Sequence, residues 1–310
     1  MEYLFLILGL VVLVVGGEFL VRGAVAIAYR YKLSPLVVGM TIVSFGTSAP
    51  ELLVSLRAAL VGAPDIAIGN IIGSNIANLA LVLGITTIIF PMPVKDDTIR
   101  IDWPMMMGAT VLFYLAIVFD NKLNWYEGLA FVMILVTFVV WLIKKSRTEN
   151  KEEEKIMQKE KATRMPYPIL LVILGCVGLA FGANWLVDGA KIVAVNIGIS
   201  DHVIGVTIIA FGTSVPELTT SCIAAFRKQT DISLGNLIGS NLFNILAILG
   251  ITGMVKEIKI SAEVFNYDIF WLLGLSLFIL PLVLLQKRIS RIGGVMLFAI
   301  YISYLYFLLK

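Results

Sequence analysis

The sequence predicts an all-α polytopic membrane protein with ten transmembrane helices, arranged as two inverted-topology repeats of five helices each. Three observations support this fold class. Hydrophobic residues make up 59% of the 310 residues, against about 45–50% in a soluble domain. The apolar residues form runs long enough to cross the roughly 30 Å hydrocarbon core of a bilayer. A block of the chain also occurs twice, with a constant spacing of 166 residues.

Ten apolar runs divide the chain, five on each side of one hydrophilic stretch. A run of about 20 residues is enough for one helical crossing. The runs cover residues 3–29, 33–60, 65–90, 103–119, 123–143, 166–194, 200–225, 231–254, 267–285 and 291–309. We therefore divide the chain into a first five-helix repeat at 1–143, a charged linker at 144–165 and a second five-helix repeat at 166–310.

The duplicated block covers residues 41–86 in the first half and 207–252 in the second, and the two copies align without a gap. They are identical at 25 of 46 positions. Because each half has five crossings, an odd number, the second half must enter the membrane in the opposite orientation. Inverted repeats of this kind are common in secondary transporters, which bind their substrates near the bilayer midplane.

The basic residues predict the orientation in the membrane. Counted over alternate loops, one side carries 17 Lys and Arg residues and the other side carries 4. Basic loops stay in the cytoplasm, so we expect a multi-pass protein of the cell membrane with both termini extracellular and the linker 144–165 cytoplasmic. The mixed charges of the linker are typical of a solvated spacer.

The first repeated motif places a carboxylate inside an apolar run. It is Ser-Phe-Gly-Thr-Ser-Ala-Pro-Glu at 44–51 and Ala-Phe-Gly-Thr-Ser-Val-Pro-Glu at 210–217. Pro50 and Pro216 have no backbone N–H, so each helix should kink or unwind and free carbonyl oxygens beside Glu51 or Glu217. Acidic residues are costly inside a membrane and mark functional sites.

The second repeated motif adds hydroxyl and amide oxygens. Gly-Asn-Ile-Ile-Gly-Ser-Asn begins at Gly69 and Gly-Asn-Leu-Ile-Gly-Ser-Asn at Gly235, and each glycine pair permits close helix packing. Oxygen ligands without Cys or His suit hard cations such as Na⁺ and Ca²⁺. One Ca²⁺ or two Na⁺ would neutralise two carboxylates, so the two ions would compete. Pairing of the glutamates with buried bases is disfavoured, because the nearby Arg57 has Ile223 as its repeat mate.

These paired motifs resemble the two alpha-repeats of the cation/calcium exchanger superfamily, specifically its prokaryotic-type sodium/calcium exchanger branch. The resemblance covers nearly the whole chain. It implies that the first and sixth crossings slide against the other eight. It also implies that side chains or backbone carbonyls of both repeats coordinate the ions; these residues are Glu51, Glu217, Thr47, Ser48, Thr213, Ser214, Ser74, Ser240, Asn78, Asn244, Ser44 and Ala210.

We therefore expect a secondary active antiporter that exchanges Na⁺ for Ca²⁺ by alternating access, electrogenically and without K⁺. Potassium-dependent relatives tend to carry an aspartate where this chain has Asn244, and Asn78 is neutral too. An H⁺/Ca²⁺ exchanger and a K⁺-dependent Na⁺/Ca²⁺ exchanger are the alternatives within the class, and a passive cation channel is the alternative from another class. The chain has no His-Glu-x-x-His zinc motif, which disfavours an intramembrane hydrolase. We expect no enzyme, no cofactor, no nucleic acid and no obligatory protein partner. Its partners would be Na⁺, Ca²⁺ and the lipid bilayer.

The other charged and sulfur-containing residues have plainer interpretations. Glu18 with Arg22, and Asp188 with Lys191, are spaced for ion pairs within one helix. Asp65 and Asp231 should lie at helix N-termini. We interpret Cys176 and Cys222 as unpaired packing residues, and His202 as interfacial.

Overall fold

The computed structural model describes residues 2–157, 167–196, 210–260 and 264–308. This part of the chain is almost entirely helical, and continuous α- and π-helical segments are numbered below as one helix. The helices are α1 (Glu2–Tyr31), α2 (Pro35–Thr47), α3 (Ala49–Leu60), α4 (Pro64–Ile89), α5 (Trp103–Ile117), α6 (Trp125–Met157), α7 (Pro168–Asn196), α8 (Ala210–Phe226), α9 (Thr230–Val255), α10 (Ile269–Gln286) and α11 (Arg291–Leu308).

The lengths and apolar surfaces of the helices make the chain a multi-pass membrane protein. Within the described ranges, seven helical stretches are long and apolar enough to cross a membrane: α1, α4, α7, α9, α11, the first 24 residues of α6 and the stretch Val264–Leu284 that contains α10. An eighth crossing results if α2 and α3 are counted as one bent span. With 15 and 17 residues, α5 and α8 are shorter, and part of the predicted crossing at 200–225 lies outside the described residues.

Local structure repeats with the same 166-residue spacing as the sequence. Two π-helical segments, Ala77–Val82 and Phe243–Leu249, begin at equivalent positions. So do the π-helical segments Thr98–Asp102 and Val264–Asp268, which precede α5 and α10. Because this spacing extends beyond the region of high sequence identity, the two halves share one structural plan.

Four two-residue strands join the halves to each other. They are β1 (Met92–Pro93), β2 (Lys122–Leu123), β3 (Ile258–Lys259) and β4 (Arg288–Ile289). β1 pairs antiparallel with β4, and β2 pairs antiparallel with β3. β1 and β3 are repeat mates, as are β2 and β4, so exchanging the halves converts one strand pair into the other. This is the arrangement expected of two halves related by an approximate two-fold axis.

Helices α1 and α7 are in direct backbone contact along a seam of glycines. Three glycines spaced seven residues apart in α1 (Gly9, Gly16, Gly23) have repeat mates in α7 (Gly175, Gly182, Gly189). A Cβ on Gly16 would lie 2.8 Å from the backbone nitrogen of Leu179 in α7. A Cβ on Gly175 would lie 2.6 Å from the backbone nitrogen of Leu20 in α1. Small residues at such contacts let two membrane helices pack without intervening side chains.

The close approach predicted for the second motif is confirmed in the second half. A Cβ on Gly235 would lie 2.3 Å from the carbonyl oxygen of Leu36, and one on Gly239 would lie 2.6 Å from Cα of Met40. Helix α9 therefore crosses α2 backbone to backbone beside the first repeated motif. The segment equivalent to 36–40 in the other half, 202–206, includes His202 and lies outside the described residues.

Ion pairs hold the loop ends together at the helix termini. Asp231 lies in the first turn of α9, as predicted. It forms an ion pair with Lys95, whose Nζ is 2.7 Å from Oδ2 of Asp231. Asp65 likewise lies in the first turn of α4. Lys287 pairs with Asp96, and the hydrogen bond from its ammonium holds the pKa of Asp96 below its usual range. These contacts link loops of opposite halves, as the strand pairs do.

Candidate cation site

The helix of the first motif breaks at Ser48. Helix α2 ends at Thr47 and α3 begins at Ala49, with a bend of 46° between them. Pro50 is in the first turn of α3, where a missing N–H costs no helical hydrogen bond. Glu51 is in the same turn, where the positive end of the helix dipole favours a carboxylate. The predicted interruption between residues 44 and 50 is therefore confirmed for the first copy.

The second copy differs from the first in its backbone. Helix α8 continues unbroken from Ala210 to Phe226 with Pro216 inside it. Of the two predicted outcomes, a kink or unwinding, unwinding at this proline is therefore wrong. Proline within a membrane helix is tolerated where neighbouring groups satisfy the freed carbonyl. The two glutamates thus face the site from different local structures, one from a helix start and the other from a helix interior.

Both motif glutamates are completely buried, and three of their four carboxylate oxygens have no hydrogen-bond partner. Glu51 and Glu217 have 0% of their surface exposed. Neither oxygen of Glu51 has a hydrogen-bond partner, and neither does Oε2 of Glu217. The two carboxylates are close enough for their charges to repel each other. Burying unpaired charge is strongly unfavourable, so the pair must either bind positive charge or keep at least one carboxyl group protonated.

Hydroxyl groups from both halves surround Glu217. Its Oε1 accepts a 3.1 Å hydrogen bond from Oγ of Ser48 and a 3.4 Å hydrogen bond from Oγ of Ser240. Oγ1 of Thr47 lies 3.4 Å from the same Ser240 oxygen. Ser48 and Thr47 belong to the first half and Glu217 and Ser240 to the second, so the halves build this part of the site together.

A second contact between the halves lies on α4 and α8. Oγ of Ser74 lies 3.2 Å from Oγ1 of Thr213. One residue further along α8, Oγ of Ser214 is buried without a hydrogen-bond partner. The hydroxyl of Ser44 instead links two helices, because it donates to the backbone carbonyls of Gly39 in α2 and Asn236 in α9. Ala210 begins α8.

Asparagine amides supply the remaining polar groups. Asn78 is buried with neither side-chain polar atom paired. Nδ2 of Asn244 donates a 2.9 Å hydrogen bond to Oδ1 of Asn75. Oδ1 of Asn244 is buried without a hydrogen-bond partner. Asn75 was not among the predicted site residues, although it belongs to the second motif. Its repeated position in Gly-Ser-Asn was the signal that could have identified it.

A side-chain hydrogen bond between Asn and Ser, here called the clamp, occurs in both halves and holds the helix of the second motif against the glutamate helix. Nδ2 of Asn70 donates to Oγ of Ser55 at 2.9 Å, and Nδ2 of Asn236 donates to Oγ of Ser221 at 3.2 Å. Asn236 also accepts a hydrogen bond from Thr47 through Oδ1. Ser55 and Ser221 follow their glutamates by four residues, one helical turn, so the clamp fixes each glutamate helix against the helix of the second motif.

The chemistry of the site follows from this set of groups. Two carboxylates are joined by hydroxyl and amide oxygens, and the described part of the chain contains no cluster of three His, Cys, Asp or Glu side chains. Hard cations prefer oxygen ligands of this kind. Multiple apolar crossings around a buried, anionic oxygen site define a membrane transporter of cations.

Comparison with known proteins agrees with this class. Residues 1–144 and 167–310 match the model of the family described as sodium/calcium exchanger protein. CaxA of Alkalimonas amylolytica is 36% identical, with 98% of each chain covered. The sodium/calcium exchanger MaX1 of Methanosarcina acetivorans is 32% identical, with 98% of this chain and 97% of MaX1 covered. A solved structure of the sodium-calcium exchanger NCX_Mj, soaked with Na⁺ and Sr²⁺, superposes with a TM-score of 0.85 at 31% identity and covers 98% of this chain and 97% of its own.

The chain belongs to the sodium/calcium exchanger family and is of the prokaryotic type. The resemblance found in the two repeated motifs is thereby confirmed. Members of this family are cation/Ca²⁺ antiporters, so the protein is a membrane transporter.

Proposed function

We propose that the protein is a secondary active antiporter that exchanges Na⁺ for Ca²⁺ across the membrane by alternating access. The observation that carries this proposal is the buried pair Glu51 and Glu217, of whose four carboxylate oxygens three have no partner. The names of two similar proteins, the exchangers MaX1 and NCX_Mj, support Na⁺ as the counter-ion.

Competition for one pair of carboxylates couples the two ions. One Ca²⁺ neutralises both glutamates, and so do two Na⁺, whereas either ion species excludes the other from the same oxygens. Hydroxyls and carbonyls complete the coordination. The proposed ligand set is Glu51, Glu217, Thr47, Ser48, Thr213, Ser214, Ser74, Ser240, Asn78, Asn244 and the carbonyls of Ser44 and Ala210.

Exchange without K⁺ follows from the neutral amides at the centre. Asn78 and Asn244 add no charge to the two carboxylates, so no third positive charge is required to balance the site. We propose in addition that exchange is electrogenic, as the resemblance to the sodium/calcium exchangers implies.

The proposed architecture has ten crossings in two inverted halves, at 1–143 and 166–310. Helix α5 and the segment that ends with α8 are the two further crossings that bring the number to ten. The basic loops place the linker 144–165 in the cytoplasm and both termini outside. No cofactor and no obligatory protein partner is needed for the exchange that we propose.

Reconstitution into proteoliposomes tests the proposal. Ca²⁺ uptake is measured with an opposing gradient of Na⁺, K⁺ or H⁺ in turn, with and without a membrane potential clamped by an ionophore. We expect uphill Ca²⁺ movement with the Na⁺ gradient alone, and a dependence of its rate on the potential. Uptake driven by H⁺, or dependent on K⁺, would identify the alternative exchangers. Ca²⁺ movement only down its own gradient would identify a passive channel.

The site itself is tested by neutralising each glutamate. Glu51→Gln and Glu217→Gln keep the shape of the side chain and remove its charge, so each should abolish Na⁺-driven Ca²⁺ flux. Glu257→Gln is the matched control, because Glu257 forms an exposed pair with Lys122 at 3.6 Å, away from the site. Flux that survives both neutralisations would show that the ions bind elsewhere.

A further inference from the structure

The ion pair between Glu18 and Arg227 joins α1 to the turn between α8 and α9. Nε of Arg227 donates to Oε2 of Glu18 at 2.6 Å, and its Nη2 contacts the other carboxylate oxygen. Arg22, one turn further along α1, contacts the same carboxylate. Exposed ion pairs are usually weak, but the Glu18 side chain is only 22% exposed and is held by two guanidinium groups. It is thus a specific contact between α1 and the body of the protein.

The turn that carries Arg227 has a structural copy in the first half. The backbone nitrogen of Arg227 bonds the carbonyl of Ile223 at 3.0 Å, and the nitrogen of Val61 bonds the carbonyl of Arg57 at 3.0 Å. The next residue in each turn, Lys228 or Gly62, has a positive φ of 58° or 83°. Position 61 is therefore the structural mate of position 227, on the turn after α3.

The ion pair itself has no copy at the mate positions. Glu18, Arg22 and Arg227 have Asn184, Asp188 and Val61 as their repeat mates. A pair formed in the same way by α7 would therefore lack both the acid and the arginine. One carboxylate is nevertheless present on α7, because Asp188 stands at the position equivalent to Arg22. An arginine is also nearby, since Arg57 lies one helical turn before Val61 on the same face of α3.

In this structure these two residues are not paired with each other. Asp188 is 63% exposed and is 4.0 Å from Lys191 of its own helix. Arg57 forms no ion pair with any residue of the described ranges. Arg57 is therefore available for a new ion pair, and Asp188 would have to exchange its long contact with Lys191 for one with Arg57.

Alternating access in transporters with inverted repeats is largely a rigid-body movement of one repeat or bundle against the other, and an exchange of local environments between the two halves would produce the second state. The contact of α1 with turn 226–229 is then replaced by a contact of α7 with turn 60–63. Ile223 contacts Gly17 of α1 here, since a Cβ on Gly17 would lie 2.7 Å from its Cδ1. After the exchange, Arg57 would lie beside Ala183, the mate of Gly17. Asp188 is about 7.5 Å further along α7 at 1.5 Å per residue. Its mate Arg22 contacts the same carboxylate as Arg227 here, so position 188 would face turn 60–63 after the exchange.

We propose that Glu18–Arg227 and Asp188–Arg57 are two alternative ion pairs, each of which holds one of the two transport states. The Glu18–Arg227 pair is formed in this structure, on the side with the basic loops. The Asp188–Arg57 pair forms on the opposite side when the first pair breaks. The inference rests on the proposed alternating-access function. It assigns a positioning role to four charged residues that lie outside the cation site.

Cross-linking in a variant without the native cysteines (Cys176→Ser, Cys222→Ala) tests the two contacts. One protein carries Glu18→Cys with Arg227→Cys, and a second carries Arg57→Cys with Asp188→Cys. Each is treated with a short bifunctional thiol reagent at varied Na⁺ and Ca²⁺. We expect both pairs to cross-link, with yields that change in opposite directions as the ions are varied. Failure of residues 57 and 188 to cross-link under all conditions would overturn the proposal.

A charge substitution tests whether the first pair sets the equilibrium. Adding Arg227→Gln to the variant with cysteines at 57 and 188 should raise its cross-linking yield several-fold. Reversing both charges, with Glu18→Arg and Arg227→Glu, should return the yield to its starting value. Lys287→Gln is the matched control, because it breaks the exposed pair with Asp96, which joins loops outside α1 and α7. An unchanged yield with Arg227→Gln, or an equal rise with Lys287→Gln, would contradict the proposal.

The outcomes separate this inference from the proposed substrates. If the two cross-links alternate but Na⁺ drives no Ca²⁺ flux, the alternative ion pairs stand and the assignment of Na⁺ is wrong. If Na⁺ drives Ca²⁺ flux and residues 57 and 188 never approach each other, the proposal of alternative ion pairs is wrong and the proposed substrates stand.

Discussion

The hydroxyl of Ser48 donates a 3.1 Å hydrogen bond to Oε1 of Glu217, and so connects the helix break of the first half to the carboxylate of the second. Both residues are buried. The geometry of the break in one half is thereby coupled to the position of the ligand in the other. This contact makes the two repeated motifs parts of one site instead of two separate sites.

Removing this hydroxyl should weaken Ca²⁺ binding. Ser48→Ala deprives Glu217 of its shorter hydroxyl contact and leaves the 3.4 Å bond from Ser240. A hydrogen bond to a charged group contributes about 1.5–3 kcal/mol, so we expect the KM for Ca²⁺ to rise by roughly 10- to 100-fold. Flux at varied Ca²⁺ measures this. Ser303→Ala is the control, since that exposed hydroxyl bonds only to its own helix at Ala299, and an unchanged KM in Ser48→Ala would remove Ser48 from the ligand set.

Binding of Ca²⁺ should stabilise the folded protein, because the ion supplies the positive charge that the buried glutamates lack. A ligand at 100 times its Kd stabilises the state that binds it by about 2.7 kcal/mol. Thermal unfolding in detergent should therefore shift to higher temperature as Ca²⁺ is added, and removal of Ca²⁺ with a chelator should reverse the shift. Glu217→Gln should abolish the shift and Glu257→Gln should retain it. A shift of equal size in Glu217→Gln would mean that Ca²⁺ stabilises the protein from another site.

The sequence predicts a candidate site because the residues that are costly to bury occur in pairs. Glu51 and Glu217 were identified from their burial cost in an apolar run, and the structure places both at 0% exposure. The apolar runs likewise predicted the long helices, since length and hydropathy alone determine whether a helix can cross a bilayer.

Two features were not predictable in the same way. The helix breaks at Ser48 but continues through Pro216, although both copies read Gly-Thr-Ser-x-Pro-Glu, because the neighbours that satisfy a freed carbonyl come from tertiary packing. The bond between Asn244 and Asn75 joins different halves, and no spacing within one motif specifies which amide of the other half it will meet. The pairing of Glu18 with Arg227 has the same origin, since the sequence suggested only its local partner Arg22.

A third carboxylate at the centre should change the cation requirement. Asn244→Asp adds a buried negative charge and replaces the amide that donates to Oδ1 of Asn75 with an acceptor. We expect Na⁺-driven Ca²⁺ flux to fall at least ~10-fold, because an unpaired buried charge costs several kcal/mol, and to recover in part when K⁺ or H⁺ supplies the missing charge. Flux with and without K⁺, at two pH values, measures this. Asn266→Asp at an exposed position is the control, and unaltered flux in Asn244→Asp would exclude residue 244 from the site.

The glycine seam between α1 and α7 should tolerate no added methyl group. A Cβ on Gly16 would lie 2.8 Å from the backbone nitrogen of Leu179, and a backbone atom cannot move aside as a flexible side chain can. We expect Gly16→Ala to lower the free energy of unfolding by about 1–3 kcal/mol, the usual cost of overpacking. Gly108→Ala is the matched control in α5, where the added Cβ meets no described atom within 4 Å. There the better helix propensity of alanine should raise stability by up to about 1 kcal/mol. Chemical or thermal unfolding in detergent compares the two variants, and effects of the same sign would show that α1 and α7 are not packed backbone to backbone.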